Sequence, residues 1–445
     1  MNSRGIATYV VYLVETQNMY ADVAFDRATG KEDIEFRDRR FAMEISMGTI
    51  RNLITIDWII EKCSSRKIKN IDSISLSILR TSIYQIKYMS SVPDYSAVNE
   101  AVVLTKKLKV PYASGFVNAI LRRAVSIDVP NEISNLELDE ASKLSFSHSL
   151  PLWIVELFIS NYGLEGASLL CAKCNEDPSI SIRLNRLKGE FASVLDKINE
   201  DGIKTDPGIY FDECKRAKIS KGLLQHDTFQ KGYFTMQDES SSFVAHIMDP
   251  KPGYKVMDVC AAPGGKATHI AELMSDEGYI LACDINGDRV NMINENANRL
   301  GISSIETMVL DATDIPSKYY DFFDAVLVDA PCTGLGVLAR RADSRWKKKP
   351  EDIIELAKIQ RTILESASKC VAPGGVLIYS TCTDTPQENQ NQIKEFLSNH
   401  PEYSPSPIKN LVGSIPLQEH EYMLQLSPHI HDVDGFFICR MEKNR

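Results

Sequence analysis

The sequence predicts three domains: an all-helical domain over residues 1–130, a small α+β domain over residues 144–240, and an α/β domain over residues 241–445. Three observations support this division. The chain has 445 residues, more than one hydrophobic core usually organises. Apolar residues recur at helical spacing in its first part. Beyond about residue 253, short apolar runs alternate with helical patterns, which is typical of a parallel sheet.

The first domain is predicted from the helical period of its apolar residues. Leu76, Leu79, Ile83 and Ile86 lie three or four positions apart, and this part of the chain has almost no hairpin signals, so we expect helices only. Residues 126–143 are rich in Asp, Glu, Asn and Ser and include Pro130. This composition predicts a linker that permits movement after the helical domain.

The second domain is predicted to mix helix and strand. A helical pattern covers residues 153–174, and Ile180–Leu184 reads as a short strand. Cys171 and Cys174 lie on the predicted helix, and no second cysteine pair follows at zinc-ligand spacing. We therefore expect these two thiols to be structural, and we predict no metal site.

The third domain is predicted from five short apolar runs, which are followed by two segments of a different type near the C-terminus. The runs cover residues 256–259, 279–283, 307–310, 325–328 and 376–379. Buried strands of a parallel sheet have this continuous apolar character. Residues 422–426 and 436–441 resemble a closing antiparallel pair. The sequence thus predicts an open α/β sheet whose last strands run against the others.

Composition restricts the class of protein. With 44% apolar and 25% charged residues, the chain is typical of a soluble protein, and no apolar run approaches the roughly 20 residues of a spanning helix. Residues 7–14 are apolar but are followed by Glu15 and lack the flanks of a signal peptide. The ten cysteines are scattered, which favours reduced thiols. We expect a cytoplasmic monomer with no membrane contact.

The formal charge of −10 is unexpected for a protein that binds nucleic acid, because phosphates favour basic surfaces. Local basic clusters would therefore have to contact the phosphates, although a solvated charged face explains each cluster equally well. The two clusters comprise Lys106, Lys107, Lys109, Arg122 and Arg123, and Arg340, Arg341, Arg345, Lys347, Lys348 and Lys349.

A glycine loop follows the first strand of the predicted sheet. It consists of Cys260, Ala261, Ala262, Pro263, Gly264, Gly265 and Lys266. An open α/β sheet binds ligands at such a loop. Asp284, Asp311 and Asp329 end or follow the next three strands. These acids suit a cationic cofactor without phosphate, so we predict S-adenosylmethionine rather than a dinucleotide. The alternative is a tight turn among ordinary surface acids.

Two cysteines follow neighbouring strands. Cys332 comes after the fourth strand and Cys382 after the fifth, so both are expected at the same edge of the sheet, beside the glycine loop. A thiolate that adds to carbon 6 of cytosine makes carbon 5 reactive enough to accept a methyl group. We predict Cys382 as this nucleophile, Asp329 as the acid near ring nitrogen 3, and Cys332 as the base that releases the product. The alternative for one such cysteine is a small buried apolar residue.

The motifs CAAPGGK, DAPCTG and STCT, in this order, resemble the Sun/RsmB family of RNA cytosine carbon-5 methyltransferases. The resemblance implies that Cys382 is the nucleophile and that Cys332 assists product release. It places the cofactor at residues 260–266 with Asp284, Asp311 and Asp329.

The resemblance extends over nearly the whole chain. Residues 83–102 and 115–123 look like a NusB-like helical domain, and residues 181–185 and 236–241 are similar to the pre-catalytic region of the family. This implies a Rossmann-like class I methyltransferase domain preceded by a NusB-like RNA-binding domain and a small α+β domain, and an enzyme that modifies small-subunit (16S) ribosomal RNA. Within the loop 340–346, Arg341-Ala342-Asp343 stands where the family pattern has His-Pro-Asp.

Two other functions are alternatives to RNA methylation. An RNA-binding or assembly factor without turnover would need neither cysteine. A dinucleotide-dependent oxidoreductase would be expected to carry G-x-G-x-x-G, which the glycine loop lacks. The sequence leaves open which nucleotide is modified and whether naked RNA or an assembled subunit is the substrate.

Overall fold

The computed structural model of the protein describes residues 1–30, 34–218, 222–412, 415 and 420–445. The described chain forms two compact units. The first, called the helical unit, contains Met1–Glu176 together with Leu338–Lys347. The second, called the sheet unit, contains Asp177–Val337 and Lys348–Arg445. Each is described separately below.

The helices are numbered in chain order over both units. They are α1 (Ser3–Gln17), α2 (Ala21–Thr29), α3 (Phe36–Arg51), α4 (Leu53–Cys63), α5 (Ser73–Tyr88), α6 (Asp94–Lys107), α7 (Ser114–Val125), α8 (Val129–Ser134), α9 (Glu140–His148), α10 (Leu152–Lys173), α11 (Phe191–Glu200), α12 (Asp227–Gln230), α13 (Glu239–Met248), α14 (Gly265–Leu273), α15 (Gly287–Leu300), α16 (Ser344–Lys347), α17 (Pro350–Ser368), α18 (Gln390–Asn399) and α19 (Pro428–His431).

In the described part of the chain, every strand belongs to the sheet unit. They are β1 (Ile180–Leu184), β2 (Lys204–Pro207), β3 (Cys214–Lys218), β4 (Phe234–Met236), β5 (Lys255–Asp258), β6 (Tyr279–Asp284), β7 (Ile305–Val309), β8 (Phe323–Asp329), β9 (Val371–Thr381), β10 (Tyr403–Pro405), β11 (Met423–Leu426) and β12 (Phe436–Lys443). The β1 prediction is confirmed residue for residue, and the five predicted parallel strands are confirmed to within a few residues at their ends.

The helical unit is organised around α5, which packs against α1, α3, α4, α6 and α7. Residues 75–85 of α5 are all buried. Its start is fixed by Asp72, whose side chain accepts a hydrogen bond from the Ser75 backbone N–H, the usual role of an N-cap. A close approach to α3 requires glycine: a Cβ at Gly48 would lie 1.9 Å from the Tyr84 ring. The predicted all-helical start of the chain is confirmed.

The linker predicted for residues 126–143 is wrong, because this stretch contains α8 and the first turn of α9. Pro130 lies in the first turn of α8, where a missing backbone N–H costs no helical hydrogen bond. The side chains of Asp128 and Asp139 cap α8 and α9. The polar residues that suggested a linker are thus caps and exposed faces of short helices.

Arg345 joins three helix ends inside the helical unit. Its side chain is 0% exposed, and Nη1 donates to the carbonyl oxygens of Arg51 and Ser149 and to Oδ1 of Asn175. Nη2 donates to the carbonyl oxygen of Cys174. The three carbonyl groups lie at the C-terminal ends of α3, α9 and α10. Unpaired C=O groups and the helix dipole both favour a cation at such an end.

This arrangement corrects part of the predicted basic surface. Arg345 is fully enclosed, so it is not available to RNA phosphates. Lys347 donates to the backbone and side-chain oxygens of Asn18. Asp343, in the segment that departs from the family pattern, accepts a hydrogen bond from the Ala21 N–H at the start of α2. In contrast, Lys106, Lys107, Lys109, Arg122 and Arg123 are exposed, as the RNA prediction requires.

The sheet unit contains two sheets. The smaller is antiparallel, in the order β2-β3-β1-β4. The larger has the order β10-β12-β9-β8-β5-β6-β7, with β11 paired to β12. The strands β9, β8, β5, β6 and β7 are parallel, whereas β12 runs antiparallel to β9, β10 and β11. This confirms both the α/β sheet and the predicted closing pair.

Apolar clusters cover both faces of the larger sheet. One includes Val256, Ile280 and Leu327, and the other includes Met257 and Leu281 on the alternate side of the same strands. Since neighbouring positions of a strand face opposite sides, the continuous apolar runs of the sequence follow from burial on both faces. No helix among the described residues is long and apolar enough to cross a membrane.

Candidate active site at the carboxyl edge of the sheet

The strand order reverses at β5, which lies between β6 and β8. Ligands of open α/β sheets bind in the crevice at such a point, beyond the carboxyl ends of the strands. Here residues 259–264 connect β5 to α14. Gly264 has φ +102°, and a Cβ there would lie 3.2 Å from the Ile293 Cα. A Cβ at Gly265 would meet nothing within 4 Å, so the loop leaves open space at the first turn of α14.

The predicted loop residues form one connected structure. The Ala261 N–H donates to the Cys283 carbonyl oxygen at 2.7 Å, which ties the loop to the end of β6. The carbonyl oxygens of Ala262 and Pro263 accept hydrogen bonds from Arg289 and Asn296 of α15. Burial raises the pKa of the Cys260 thiol far above its usual range. Cys260 is therefore a neutral thiol in this loop.

Four carboxyl groups lie at the ends of these strands. Asp284 ends β6, is 3% exposed and pairs with Arg289 at 3.2 Å. Asp311 follows β7 and accepts hydrogen bonds from the Thr313 N–H and hydroxyl, which lower its pKa. Asp329 ends β8. The fourth, Asp258, was not predicted: burial, followed by the charge of Asp329, raises its pKa to about 8.

Asp258 has a further distinguishing feature. It is 0% exposed, its Oδ1 accepts from the Cys260 N–H at 3.4 Å, and its Oδ2 has no hydrogen-bond partner among the described residues. A buried polar atom without a partner is rare in proteins. The sequence signal was available, because Asp258 is an acid inside the apolar run 256–259.

Lys266 and Asp329 connect the cofactor loop to the cysteines. Lys266 Nζ lies 2.7 Å from Oδ2 of Asp329, and the Ser380 hydroxyl donates to Oδ1 of Asp329 at 2.8 Å. Burial lowers the pKa of Lys266, but the negative charges of Asp329 and Cys382 outweigh this effect and raise it. Lys266 was predicted only as a cofactor residue, whereas the structure places its ammonium group beside Asp329.

The two predicted cysteines meet at the edge of the sheet. Cys332 Sγ and Cys382 Sγ lie 3.3 Å apart, and both residues are partly buried. They follow β8 and β9, which are adjacent and parallel. The neighbouring Cys382 and burial raise the pKa of Cys332 well above its usual range. Cys332 is thus a neutral thiol beside Cys382.

A second buried cluster lies in the same unit. Ligand-type atoms of Glu213, His246 and His269 all lie within 4.8 Å of one another. Both imidazoles direct Nε2 at Oε1 of Glu213, at 2.6 and 3.5 Å. Burial lowers the pKa of His269 to about 3. We interpret the cluster as a hydrogen-bonded triad, because its nitrogen and oxygen atoms already face one another.

Comparison with known proteins agrees with this geometry. The family model described as 16S rRNA methyltransferase RsmB/F matches residues 245–442, the NusB family model matches residues 1–126, and a ferredoxin-like domain of RsmF/B-type methyltransferases matches residues 150–216. The chain is 34% identical to the probable ribosomal RNA small subunit methyltransferase B of Bacillus subtilis, over 99% of this chain and 98% of that protein. The chain belongs to the ribosomal RNA small subunit methyltransferase B family.

Other relatives support the same assignment. The corresponding probable methyltransferase B of Synechocystis is 35% identical over the full length of both chains. The solved structure of PH0851 superimposes with a TM-score of 0.84 at 27% identity, over 100% of this chain and 99% of that one. A methyltransferase homologue from Pyrococcus horikoshii gives a TM-score of 0.60 at 26% identity, over 69% of this chain. The predicted family and fold class, with its NusB-like start, are confirmed.

The cofactor of this methyltransferase family member is S-adenosylmethionine, as the glycine loop and its acids predict. The residues present fit this group. Its sulfonium and ammonium groups are cationic, and the site holds the buried carboxyls of Asp258 and Asp284. The unpaired Oδ2 of Asp258 provides an acceptor, and the open first turn of α14 provides room at the backbone.

Proposed function

We propose that the protein transfers a methyl group from S-adenosylmethionine to carbon 5 of a cytosine in 16S ribosomal RNA, through a covalent bond between Cys382 and carbon 6. The observation that carries the proposal is the pair of sulfur atoms 3.3 Å apart at the carboxyl edge of the sheet. One thiol can add to the base while the other assists its departure. A binding protein without turnover has no use for such a pair.

The proposed role of Cys382 is nucleophilic. Its thiolate adds to carbon 6, and the electron pair of the 5,6 double bond moves to carbon 5, which then attacks the methyl donor. The cofactor supplies an electrophilic methyl group on sulfur. The Lys266 ammonium, whose pKa is raised partly by Cys382, provides positive charge beside the developing thiolate. The Lys266 ammonium would therefore favour the charged form of the nucleophile.

Asp329 is proposed to stabilise the base during addition. Its carboxyl is oriented by Lys266 on one oxygen and by Ser380 on the other. Addition at carbon 6 places negative charge on the ring, which a hydrogen bond at nitrogen 3 would stabilise. The Lys266 ammonium lies 2.7 Å from Asp329, so an N–H hydrogen-bond donor stands beside the carboxyl where nitrogen 3 would approach.

Cys332 is proposed to remove the carbon-5 proton after methylation. The electron pair of that C–H bond then re-forms the double bond, and Cys382 leaves carbon 6 as a thiolate. Before addition, the neighbouring Cys382 is the largest cause of the raised pKa of Cys332. Once Cys382 is a thioether, both its hydrogen bond to Cys332 and its charge are lost, so the pKa of Cys332 falls when a base is required.

The cofactor is proposed to lie along residues 260–266, with Asp284, Asp311 and Asp329 as its acidic contacts. RNA is proposed to contact the exposed cluster of Lys106, Lys107, Lys109, Arg122 and Arg123, since shape and phosphate contacts dominate recognition of folded RNA. The target cytosine must be unstacked to reach Cys382. The monomeric state, the cytoplasmic location and the functional boundaries near residues 130 and 240 stay predictions.

Two variants test the proposal with 16S RNA and labelled cofactor. Cys382→Ala should bind S-adenosylmethionine normally but transfer no methyl group. Cys332→Ala should accumulate a covalent protein–RNA adduct, visible as a slow band on a denaturing gel. Turnover by Cys382→Ala would remove the nucleophile assignment, and rapid turnover without adduct by Cys332→Ala would remove the release role.

A further inference from the structure

Glu388 is a buried carboxyl that none of the steps above uses. It is 0% exposed and lies between β9 and α18, six residues after Cys382. Its Oε1 accepts hydrogen bonds from the Thr333 backbone N–H and from Gln360 Nε2, each at 2.9 Å. Its Oε2 accepts from the hydroxyls of Thr333 and Thr385, each at 2.6 Å. Four donors match the full acceptor capacity of a carboxylate.

These contacts hold the loop that carries Cys332. Thr333 directly follows Cys332 and gives both its backbone N–H and its hydroxyl to Glu388. On the other side, Gln360 of α17 also donates to the Pro331 carbonyl oxygen at 2.9 Å. The residues before and after Cys332 are therefore both fixed through the Glu388–Gln360 pair.

The next residue holds the other cysteine. Asn389 Oδ1 accepts from the Thr381 hydroxyl at 2.6 Å, and its Nδ2 donates to the Thr383 carbonyl oxygen at 3.0 Å. Thr381 and Thr383 flank Cys382. A direct contact between the Thr333 and Thr383 hydroxyls, at 2.7 Å, closes the network. Glu388 thus contacts both cysteine loops, and the consecutive Asn389 holds the two residues that flank Cys382.

We propose that Glu388, together with Asn389, is a positioning residue that sets the distance between Cys382 and Cys332. This inference deepens the proposed function and rests on it. A buried carboxyl that only stabilised the fold could accept hydrogen bonds from any part of the unit. Here all four donors belong to the two cysteine loops or to Gln360, which also donates to the Cys332 loop. Catalytic groups lose efficiency steeply when they move by about 1 Å, so the network matters chiefly to rate.

The variants follow from the donor pattern. Glu388→Ala leaves the Thr333 N–H and the Gln360 amide buried without an acceptor, which frees the Cys332 loop. Glu388→Gln can keep its carbonyl oxygen toward those two N–H donors and turn its NH2 toward the two hydroxyls, which can accept instead. Thr385→Val removes a single bond. Gln387→Ala changes an exposed neighbour outside the network and serves as the control.

The first measurement needs neither RNA nor cofactor. Diamide oxidises two adjacent thiols to a disulfide, and the 3.3 Å sulfur separation is close to the roughly 2 Å of that bond. The rate of Cys332–Cys382 disulfide formation, followed by peptide mass spectrometry, therefore reports the distance between the loops. We expect Glu388→Ala to form it about 100-fold more slowly, and Glu388→Gln and Gln387→Ala to match the wild type.

The second measurement is steady-state methylation. Glu388→Ala should lose about 100-fold in kcat, with the KM for RNA and the Kd for S-adenosylmethionine unchanged, and Glu388→Gln should restore most of the rate. Thr385→Val should lose about fivefold, the equivalent of one hydrogen bond, which keeps the test valid if Glu388→Ala does not fold.

If folded Glu388→Ala or Thr385→Val formed the disulfide and methylated RNA as fast as the wild type, the positioning role would be overturned. Failure of the wild type to methylate cytosine would instead contradict the proposed function, while the disulfide rates would still decide on Glu388.

Discussion

Replacing Arg345 by alanine tests how the helical unit is held together. Four hydrogen bonds are lost, two at 2.9 Å and two at 3.1 and 3.2 Å, and three carbonyls at the ends of α3, α9 and α10 remain buried without that donor. At about 1 kcal/mol for each bond, the loss is about 4 kcal/mol. Burial lowers the pKa of Arg345 to about 10, which shows that the cation is costly to bury. Removing the side chain therefore removes this free-energy cost and offsets part of the loss. A net loss of about 3 kcal/mol is expected.

The chain provides a selective assay for this loss. Its three tryptophans are Trp58, Trp153 and Trp346, and all belong to the helical unit, so tryptophan fluorescence reports the unfolding of that unit alone. With a slope of about 2 kcal/mol per molar urea, the midpoint of Arg345→Ala should fall by about 1.5 M. Arg341→Ala, an exposed neighbour, should leave it unchanged. Equal midpoints for Arg345→Ala and the wild type would refute the joining role.

Two further predictions concern the sheet unit. The folded Asp258 carboxyl keeps its proton to about pH 8, whereas the unfolded one loses it near 3.9; the unfolded state therefore binds fewer protons, and stability falls as pH rises through this window. Asp258→Asn should remove up to about 1.4 kcal/mol per pH unit of this decline in stability, and it should weaken cofactor binding. Calorimetry between pH 6.5 and 8 measures the slope, and a slope equal to that of the wild type would contradict the assignment. Arg183→Ala breaks a fully buried pair with Glu272 at 2.7 Å and a bond to the Gly265 carbonyl oxygen, so a loss of about 3–5 kcal/mol in unfolding free energy is expected, and thermal stability equal to that of the wild type would argue against it.

Much of the fold could be predicted from the sequence, because burial on both faces gives the strands continuous apolar runs. The same reasoning found Cys332 and Cys382, since parallel strands bring their carboxyl ends to one edge. It failed at residues 126–143, where short capped helices have the composition of a linker. The spacing of apolar residues does not reveal helix caps. A largely polar stretch has few apolar residues whether it forms short helices or a linker.

Arg345 was predicted wrongly and Glu388 was not predicted, and both outcomes have the same physical cause. Arg345 and Glu388 are both fully buried, which the general rule for charged side chains does not favour. Most of their partners lie far away along the chain, from Arg51 to Asn175 for Arg345 and at Thr333 and Gln360 for Glu388. Without tertiary contacts, a basic run such as 340–349 is indistinguishable from an RNA-binding surface. Asp258 is the exception, since an acid inside an apolar strand is visible in the sequence.

The most direct test of the central proposal is bisulfite sequencing of 16S ribosomal RNA from cells that lack this protein, after incubation with S-adenosylmethionine and the purified enzyme. We expect the wild type to make one cytosine resistant to deamination and Cys382→Ala to make none resistant. A resistant cytosine produced by Cys382→Ala, or methyl transfer by the wild type to a base other than cytosine, would contradict it.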